Sequence, residues 1–151
     1  MTDDTTPAAS GSGTPWHFWV VGILSLLWNG FGAYLFVMGN TQGDAFYRAA
    51  GASEAMIAYT HSMPGWMLAP WIAGVWGALL GSIAFLVRSR WAVWLFAVSL
   101  VGAAVSAFYQ YVIDSILEVE GSNPAMPLII TAVAAFLWWY AGRMAARGVL
   151  R

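Results

Sequence analysis

The side chains of this sequence that could do chemistry are few, and the most polar one inside an apolar stretch is uncharged. Asn29 lies near the middle of the first long apolar stretch. An amide in hydrocarbon needs hydrogen-bond partners, so Asn29 should point toward other helices. We expect its partner to be Ser99, Ser106 or Thr131, which lie in later apolar stretches. Such a hydrogen bond either fixes helix packing or belongs to the lining of a cavity.

Two tryptophans join Asn29 in a candidate transport path. Trp28 and Trp76 fall near mid-membrane, where they could stack on a sugar ring if they face inward. Ser99 and Ser106 would line the same path. Convergence of these five side chains on one cavity favours a facilitator of an uncharged solute. Their dispersal onto packing and lipid-facing surfaces favours a structural role.

Ionisable side chains are absent from the interior of every apolar stretch. Ion-coupled carriers and pumps usually place an ionisable residue there, so this pattern argues against ion-coupled transport. His17 and His61 are expected at opposite membrane faces, where they cannot share one metal ion. Cys is absent, and the sequence has no Ser/His/Asp arrangement and no Gly-rich phosphate loop. We therefore predict a protein that is not an enzyme and has no metal site and no cofactor.

Four apolar stretches must position these residues, and they are residues 16–38, 64–87, 91–113 and 126–142. A helix needs roughly 20 apolar residues to cross a bilayer. Only six Arg and seven Asp or Glu occur among the 151 residues, with no Lys. The predicted fold is an all-α membrane protein, a four-transmembrane-helix bundle that forms one domain over residues 16–151.

Arginine placement predicts the orientation in the membrane. Four spans put the turn at residues 88–90 and both chain termini on one side, which holds five of the six Arg. Because Arg is enriched in cytoplasmic loops, both termini are expected in the cytoplasm. Residues 1–15 are polar, acidic and rich in Thr, Ser, Gly and Pro. This composition predicts a disordered cytoplasmic tail instead of a signal peptide.

The first outer loop, residues 39–63, is predicted to contain a short amphipathic helix. Ser53 is a typical N-cap for a helix that begins at Glu54. Asp44 and Arg48 are spaced i,i+4 and could pair on a helix. These charged residues exclude a fifth span, so the helix should rest on the membrane surface or cap the bundle.

Small residues recur at every fourth position of the second span, at Ala69, Ala73, Gly77 and Gly81. Small residues let helix backbones approach closely, and spans in lipid associate in this way. We expect this stripe to pack against the third span of the same chain. The alternative is a face that joins copies of the chain.

Several stretches of the sequence resemble those of a known family. They are Trp16-His17, residues 24–30 (LSLLWNG), 64–66 (PGW), 74–77 (GVWG), Gly81-Ser82, 88–93 (RSRWAV) and 147–151 (RGVLR). On these stretches the chain resembles small four-span bacterial inner-membrane proteins of unknown function, some of which carry an automatic label of sugar transporter. The resemblance covers most of residues 15–151 and implies the four-span fold, its topology and an inner-membrane location. Members of that family often have an Asp where this chain has Tyr, Leu and Phe at residues 34–36.

Two functions remain open from the sequence. We predict a non-catalytic accessory or structural subunit of a membrane assembly, because small-residue faces occur without buried ionisable groups. The alternative is a small oligomeric facilitator or transporter of an uncharged solute such as a sugar. The expected partners are the lipid bilayer and either further copies of this chain or a larger membrane complex. No nucleic acid is expected, because the Arg residues are scattered.

Overall fold

The four predicted spans are present as long apolar helices, which confirms the all-α four-helix membrane bundle. The computed structural model describes residues 13–151, and this part contains helices and no strand. The predicted tail, residues 1–15, lies almost entirely outside the described residues. The helices are α1 (Trp16–Gln42), α2 (Asp44–Ala49), α3 (Glu54–Ser62), α4 (Leu68–Leu86), α5 (Trp91–Phe108) and α6 (Ala125–Ala146), with a 3₁₀ turn at Gly65–Met67, a π-helical turn at Tyr109–Ile113 and a 3₁₀ turn at Ile116–Glu118.

The first span is longer than predicted and continues past residue 38 to Gln42. The side chains of Asn40 and Thr41 donate to backbone carbonyls one turn earlier, each at 2.7 Å. The polar side chains of Asn40 and Thr41 are thus hydrogen-bonded within α1, and the helix continues through them. Gly43, with φ of 59°, follows the helix and turns the chain. The fourth span likewise extends beyond its predicted end.

The spans pack in the order α1, α4, α5, α6, so α1 and α6 lie on opposite flanks of a central α4–α5 pair. One end of the bundle, which we call the terminal end, contains the start of α1, the turn at residues 88–90 and residues 147–151. The loop end, opposite to it, carries α2, α3 and residues 114–124. The flanking helices meet at the terminal end, where the Tyr140 hydroxyl and the His17 ring are hydrogen-bonded.

Aromatic rings from all four spans meet at the terminal end. Phe18 of α1 stacks on Phe85 of α4 with ring centroids 4.3 Å apart. Phe85 also contacts Phe96 of α5 and Tyr140 of α6. All four side chains are buried, so this cluster joins the four spans at the terminal end.

The end of the chain folds back and closes the terminal end. The Arg151 amide donates to the Arg88 carbonyl at 2.7 Å, and the Arg90 amide donates to the Arg151 carbonyl at 3.0 Å. The Arg88 Nε also donates to the Val149 carbonyl at 3.0 Å. Val149 and Leu150 are buried against the aromatic cluster. Backbone hydrogen bonds and apolar packing therefore hold this segment against the turn between α4 and α5.

Helices α4 and α5 approach closely because glycines lie in their contact. A Cβ atom added at Gly77 would lie 3.0 Å from the Leu95 carbonyl oxygen and 3.1 Å from the Ser99 nitrogen. A Cβ atom at Gly102 would lie 2.6 Å from the Gly74 nitrogen. The Ser99 hydroxyl donates to the Gly74 carbonyl at 2.8 Å. The two backbones are thus in direct contact, which a larger side chain at either glycine would prevent.

The predicted small-residue stripe divides into two parts. Gly77 and Gly81 are buried against α5, where a Cβ atom at Gly81 would meet the Phe96 ring. Ala69 is exposed and Ala73 is only half-buried. Both alanines line a groove between α4 and α5, beside the close contact of Gly74 with Gly102.

Helix α3 caps the loop end of the bundle. The Ser53 hydroxyl accepts from the Met56 amide at 3.1 Å, as expected for an N-cap, and donates to the Glu120 carbonyl at 2.6 Å. The Tyr59 hydroxyl donates to the Asp114 carbonyl at 2.9 Å. These bonds attach α3 to the loop at residues 114–124, so the predicted short helix covers the loop end of the bundle.

Ion pairs hold α2 against α3. Two Arg48 nitrogens donate to the two Glu54 carboxylate oxygens at 2.6 and 2.9 Å. This hydrogen-bonded pairing lowers the pKa of Glu54. The predicted pair of Arg48 with Asp44 is present at a longer 3.9 Å, because Asp44 instead pairs closely with His61 at 2.7 Å.

Replacing Gly77 by Leu should prevent α4 and α5 from packing, because even the first side-chain atom would meet the α5 backbone. Overpacking of a close contact costs about 1–3 kcal/mol, so we expect a lower thermal unfolding temperature in detergent. Gly30→Leu is the matched control, since a Cβ atom at Gly30 meets nothing within 4 Å. Equal unfolding temperatures for the two variants would contradict the close contact.

Tyr59 should make the attachment of α3 sensitive to high pH. Burial, with a smaller contribution from the Asp114 carboxylate, raises the pKa of Tyr59 from 10.0 to about 12. An unfolded chain loses this proton first, so the stabilisation is complete below pH 10.0 and is lost as the pH rises toward about 12. Subtracting the phenolate titration of Tyr59→Phe from that of the wild type should reveal a midpoint near pH 12. A titration midpoint near pH 10.0, the ordinary value for tyrosine, would mean that Tyr59 is exposed to water in solution.

Candidate functional site

The side chain of Asn29, a residue of α1, is buried in the contact between α1 and α4. It belongs to the buried face of α1, with Gly22, Ser25 and Ala33. Its side-chain nitrogen donates to the Ser82 hydroxyl at 2.9 Å. The same nitrogen lies 3.4 Å from the Ala78 carbonyl. The amide therefore has its hydrogen-bond partners on the second span.

The partners expected from the sequence were wrong, because the Asn29 side chain faces α4, with which α1 makes most of its contacts among the spans. Ser99 and Ser106 lie on α5, and Thr131 lies on α6. Ser82 is the residue that sequence reasoning missed. Its position directly after Gly81 in the small-residue stripe was a usable signal, since a small polar residue beside such a stripe can face a neighbouring span.

The five candidate residues of the transport path do not share one cavity. Trp28 and Trp76 are 44% and 37% exposed, on the outer surface of the bundle. Ser99 is buried in the α4–α5 contact, whereas Asn29 is buried between α1 and α4. Ser106 has a buried hydroxyl with no partner among the described residues, two turns along α5 from Ser99. The arrangement is the dispersed one, in which polar side chains serve separate helix contacts.

Two apolar grooves lie on the outside of the bundle. The α4–α5 groove has a volume of about 500 Å³. It is lined by Ala69, Pro70, Ala73, Trp94, Ala97, Val98, Val101, Gly102 and Val105. The α5–α6 groove has a volume of about 270 Å³ and lies near the terminal end. It is lined by Val93, Trp138, Trp139, Gly142 and Arg143.

The two histidines lie at opposite ends of the bundle and have different partners. His17 bonds Tyr140 at the terminal end, and His61 bonds Asp44 at the loop end. Within residues 13–151 no group of three or more His, Cys, Asp or Glu side chains could hold a metal ion. Neither histidine is therefore placed for metal chemistry with the other.

Comparison of the chain with protein-family models, with curated proteins and with solved structures finds no match.

Replacing Asn29 by Leu should reduce stability by about 1 kcal/mol, the usual size of an interhelical hydrogen bond in a membrane. The loss should be small because the Ser82 hydroxyl still donates to the Ala78 carbonyl at 2.9 Å. Unfolding of the purified protein in detergent measures the change. Asn40→Leu is the control, since the exposed Asn40 side chain bonds only within α1. Loss of solute uptake with unchanged stability would instead assign Asn29 a role in transport.

Proposed function

We propose that this protein is a non-catalytic accessory or structural subunit of a bacterial inner-membrane assembly. The observation that carries the proposal is the α4–α5 groove, which no other described segment of the chain covers. Membrane helices associate through small residues that allow close approach. A groove with this lining, at the depth of the spans, is a surface suited to a transmembrane helix of another chain.

The lining of the α4–α5 groove supports this interpretation. Ala69 and Ala73 contribute from α4, and Ala97 contributes from α5. Val98 and Val101 are exposed beside them. Lipid tails are as apolar as these side chains, so burial alone gives no reason for helices to associate there. Close packing between a partner helix and the small residues would supply the attraction, and the partner is either a second copy or another membrane protein.

The dispersed polar residues support a subunit over a facilitator. A path for an uncharged solute needs polar groups that line one cavity, yet the Asn29 amide and the Ser99 hydroxyl are used in different helix contacts. Trp28 and Trp76 are exposed near the middle of their spans, as expected for lipid-facing rings.

Charge distribution supports an orientation with both termini in the cytoplasm. Five Arg lie at the terminal end, and Arg48 alone lies at the loop end, where it is ion-paired. Arg is enriched on the cytoplasmic side of membrane proteins. The inner-membrane location follows from the resemblance to four-span bacterial proteins and is part of the proposal.

Purification in mild detergent, followed by mass spectrometry and mass measurement of the particle, tests the proposal. The wild type should elute with a stoichiometric membrane partner or as an oligomer of itself. Ala73→Leu, which fills the α4–α5 groove, should lose that partner while the unfolding temperature of the chain stays unchanged. Gly30→Leu, which adds one carbon more than Ala73→Leu where nothing lies within 4 Å of the new Cβ atom, should retain it.

A particle that contains one copy of this chain and nothing else would contradict the proposal. Uptake of sugars into liposomes that contain the purified protein would then test the facilitator. Retention of the partner by Ala73→Leu would show that association uses another surface.

A further inference from the structure

The charges of the chain are separated along the bundle. All ion pairs within residues 13–151 lie at the loop end and involve Asp44, Arg48, Glu54 and His61. The terminal end carries five Arg and, in the part of the chain that the structure describes, no carboxylate side chain. Five guanidinium groups at one membrane interface form a surface complementary to anions.

One of these arginines lines the α5–α6 groove. Arg143 is exposed, and its guanidinium carbon lies 5.6 Å from the centroid of the Trp139 ring. This cation–π contact holds the guanidinium beside the groove. The remaining lining, Val93, Trp138 and Gly142, is apolar or small. The Arg143 guanidinium and the apolar α5–α6 groove therefore meet near the terminal end of the bundle, where we expect lipid headgroups to join their acyl chains.

A second arginine lies one helical turn before the α5 residue that lines the groove. Arg90 precedes α5 directly and has helical backbone angles. Val93 lines the groove, and Arg90 lies one turn closer to the end of the bundle, about 4.5 Å along the helix axis. The positive end of the α5 helix dipole lies at the same turn. Arg90 and the helix dipole add positive charge at the start of α5, beside the α5–α6 groove.

We propose that the α5–α6 groove binds an anionic phospholipid. One acyl chain lies along Val93, Trp138 and Gly142, and the phosphate is bound by Arg143 with Arg90. A phosphate accepts hydrogen bonds from a guanidinium in fork geometry. An anionic headgroup is preferred because it adds no cation, whereas the choline of a zwitterionic lipid would place a positive charge beside two guanidiniums.

Lipid exchange in detergent tests this site directly. The delipidated full-length protein is mixed with phosphatidylglycerol or with phosphatidylcholine of the same chains, and bound lipid is counted by native mass spectrometry. The wild type should retain one phosphatidylglycerol more tightly than phosphatidylcholine. Arg143→Gln should weaken phosphatidylglycerol binding about tenfold, the effect of losing one charge-assisted hydrogen bond. Arg48→Gln, at the loop end, should leave it unchanged.

A variant that fills the α5–α6 groove distinguishes a lipid bound in the groove from lipid attracted only by the positive charge of the arginines. Gly142 lines the groove, and a Cβ atom there meets nothing within 4 Å. Gly142→Leu should therefore fold normally, keep every arginine and lose the retained phosphatidylglycerol. Gly30→Leu again serves as the control with equal added bulk, and it should retain the lipid.

Three results would overturn the proposal. The first is equal retention of the two lipids by the wild type. The second is full retention of phosphatidylglycerol by Gly142→Leu, which would leave only diffuse attraction to the arginines. The third is equal protection against thermal unfolding by glycerophosphoglycerol, the headgroup without chains, which would identify a site for soluble anions. The lipid result is independent of whether a protein partner occupies the α4–α5 groove on the other side of α5.

Discussion

Direct contact between the backbones of α4 and α5 determines where the other helices lie. The hydrophobic effect does not draw helices together within a bilayer, so their positions depend on close packing and hydrogen bonds. Gly77 and Gly102 permit that packing, and the Ser99 hydroxyl bonds across it. With α4 and α5 joined, the free side of α4 receives α1 and the free side of α5 receives α6. The two outer grooves follow from this arrangement, because each lies along a flank of α5.

The two ends of the bundle are closed by different physical means. Rings from four spans fill the terminal end, and the end of the chain bonds to the turn at Arg88 and Arg90. At the loop end, polar contacts of α3 with residues 114–124 and the Arg48–Glu54 ion pair provide the closure. Both ends are covered, so the lipid-facing sides of the bundle are the surfaces left for a partner. This is why both proposals concern grooves on those sides.

Two polar side chains within the spans form hydrogen bonds between neighbouring helices. Asn29 joins α1 to α4 through Ser82, and Ser99 joins α5 to α4 through a backbone carbonyl. Each bond satisfies a donor that hydrocarbon would otherwise leave unpaired. A polar residue used in this way is not available to line a solute path. The recognition chemistry proposed here therefore depends on small residues in one groove and on Arg143 and aromatic rings in the other.

The sequence by itself determined the number of spans, the cap of α3 at Ser53 and the segregation of Arg to one end. These features depend on local composition, since hydrophobic length, capping side chains and charges act within a few residues of chain. Only the tertiary structure decided that Asn29 pairs with Ser82 and that Ala69 and Ala73 stay uncovered while Gly77 is buried. The physical reason is that four apolar helices present similar surfaces to lipid and to one another. Which helix neighbours which, and which small residues are left uncovered in a groove, depends on backbone contacts between residues far apart in the chain.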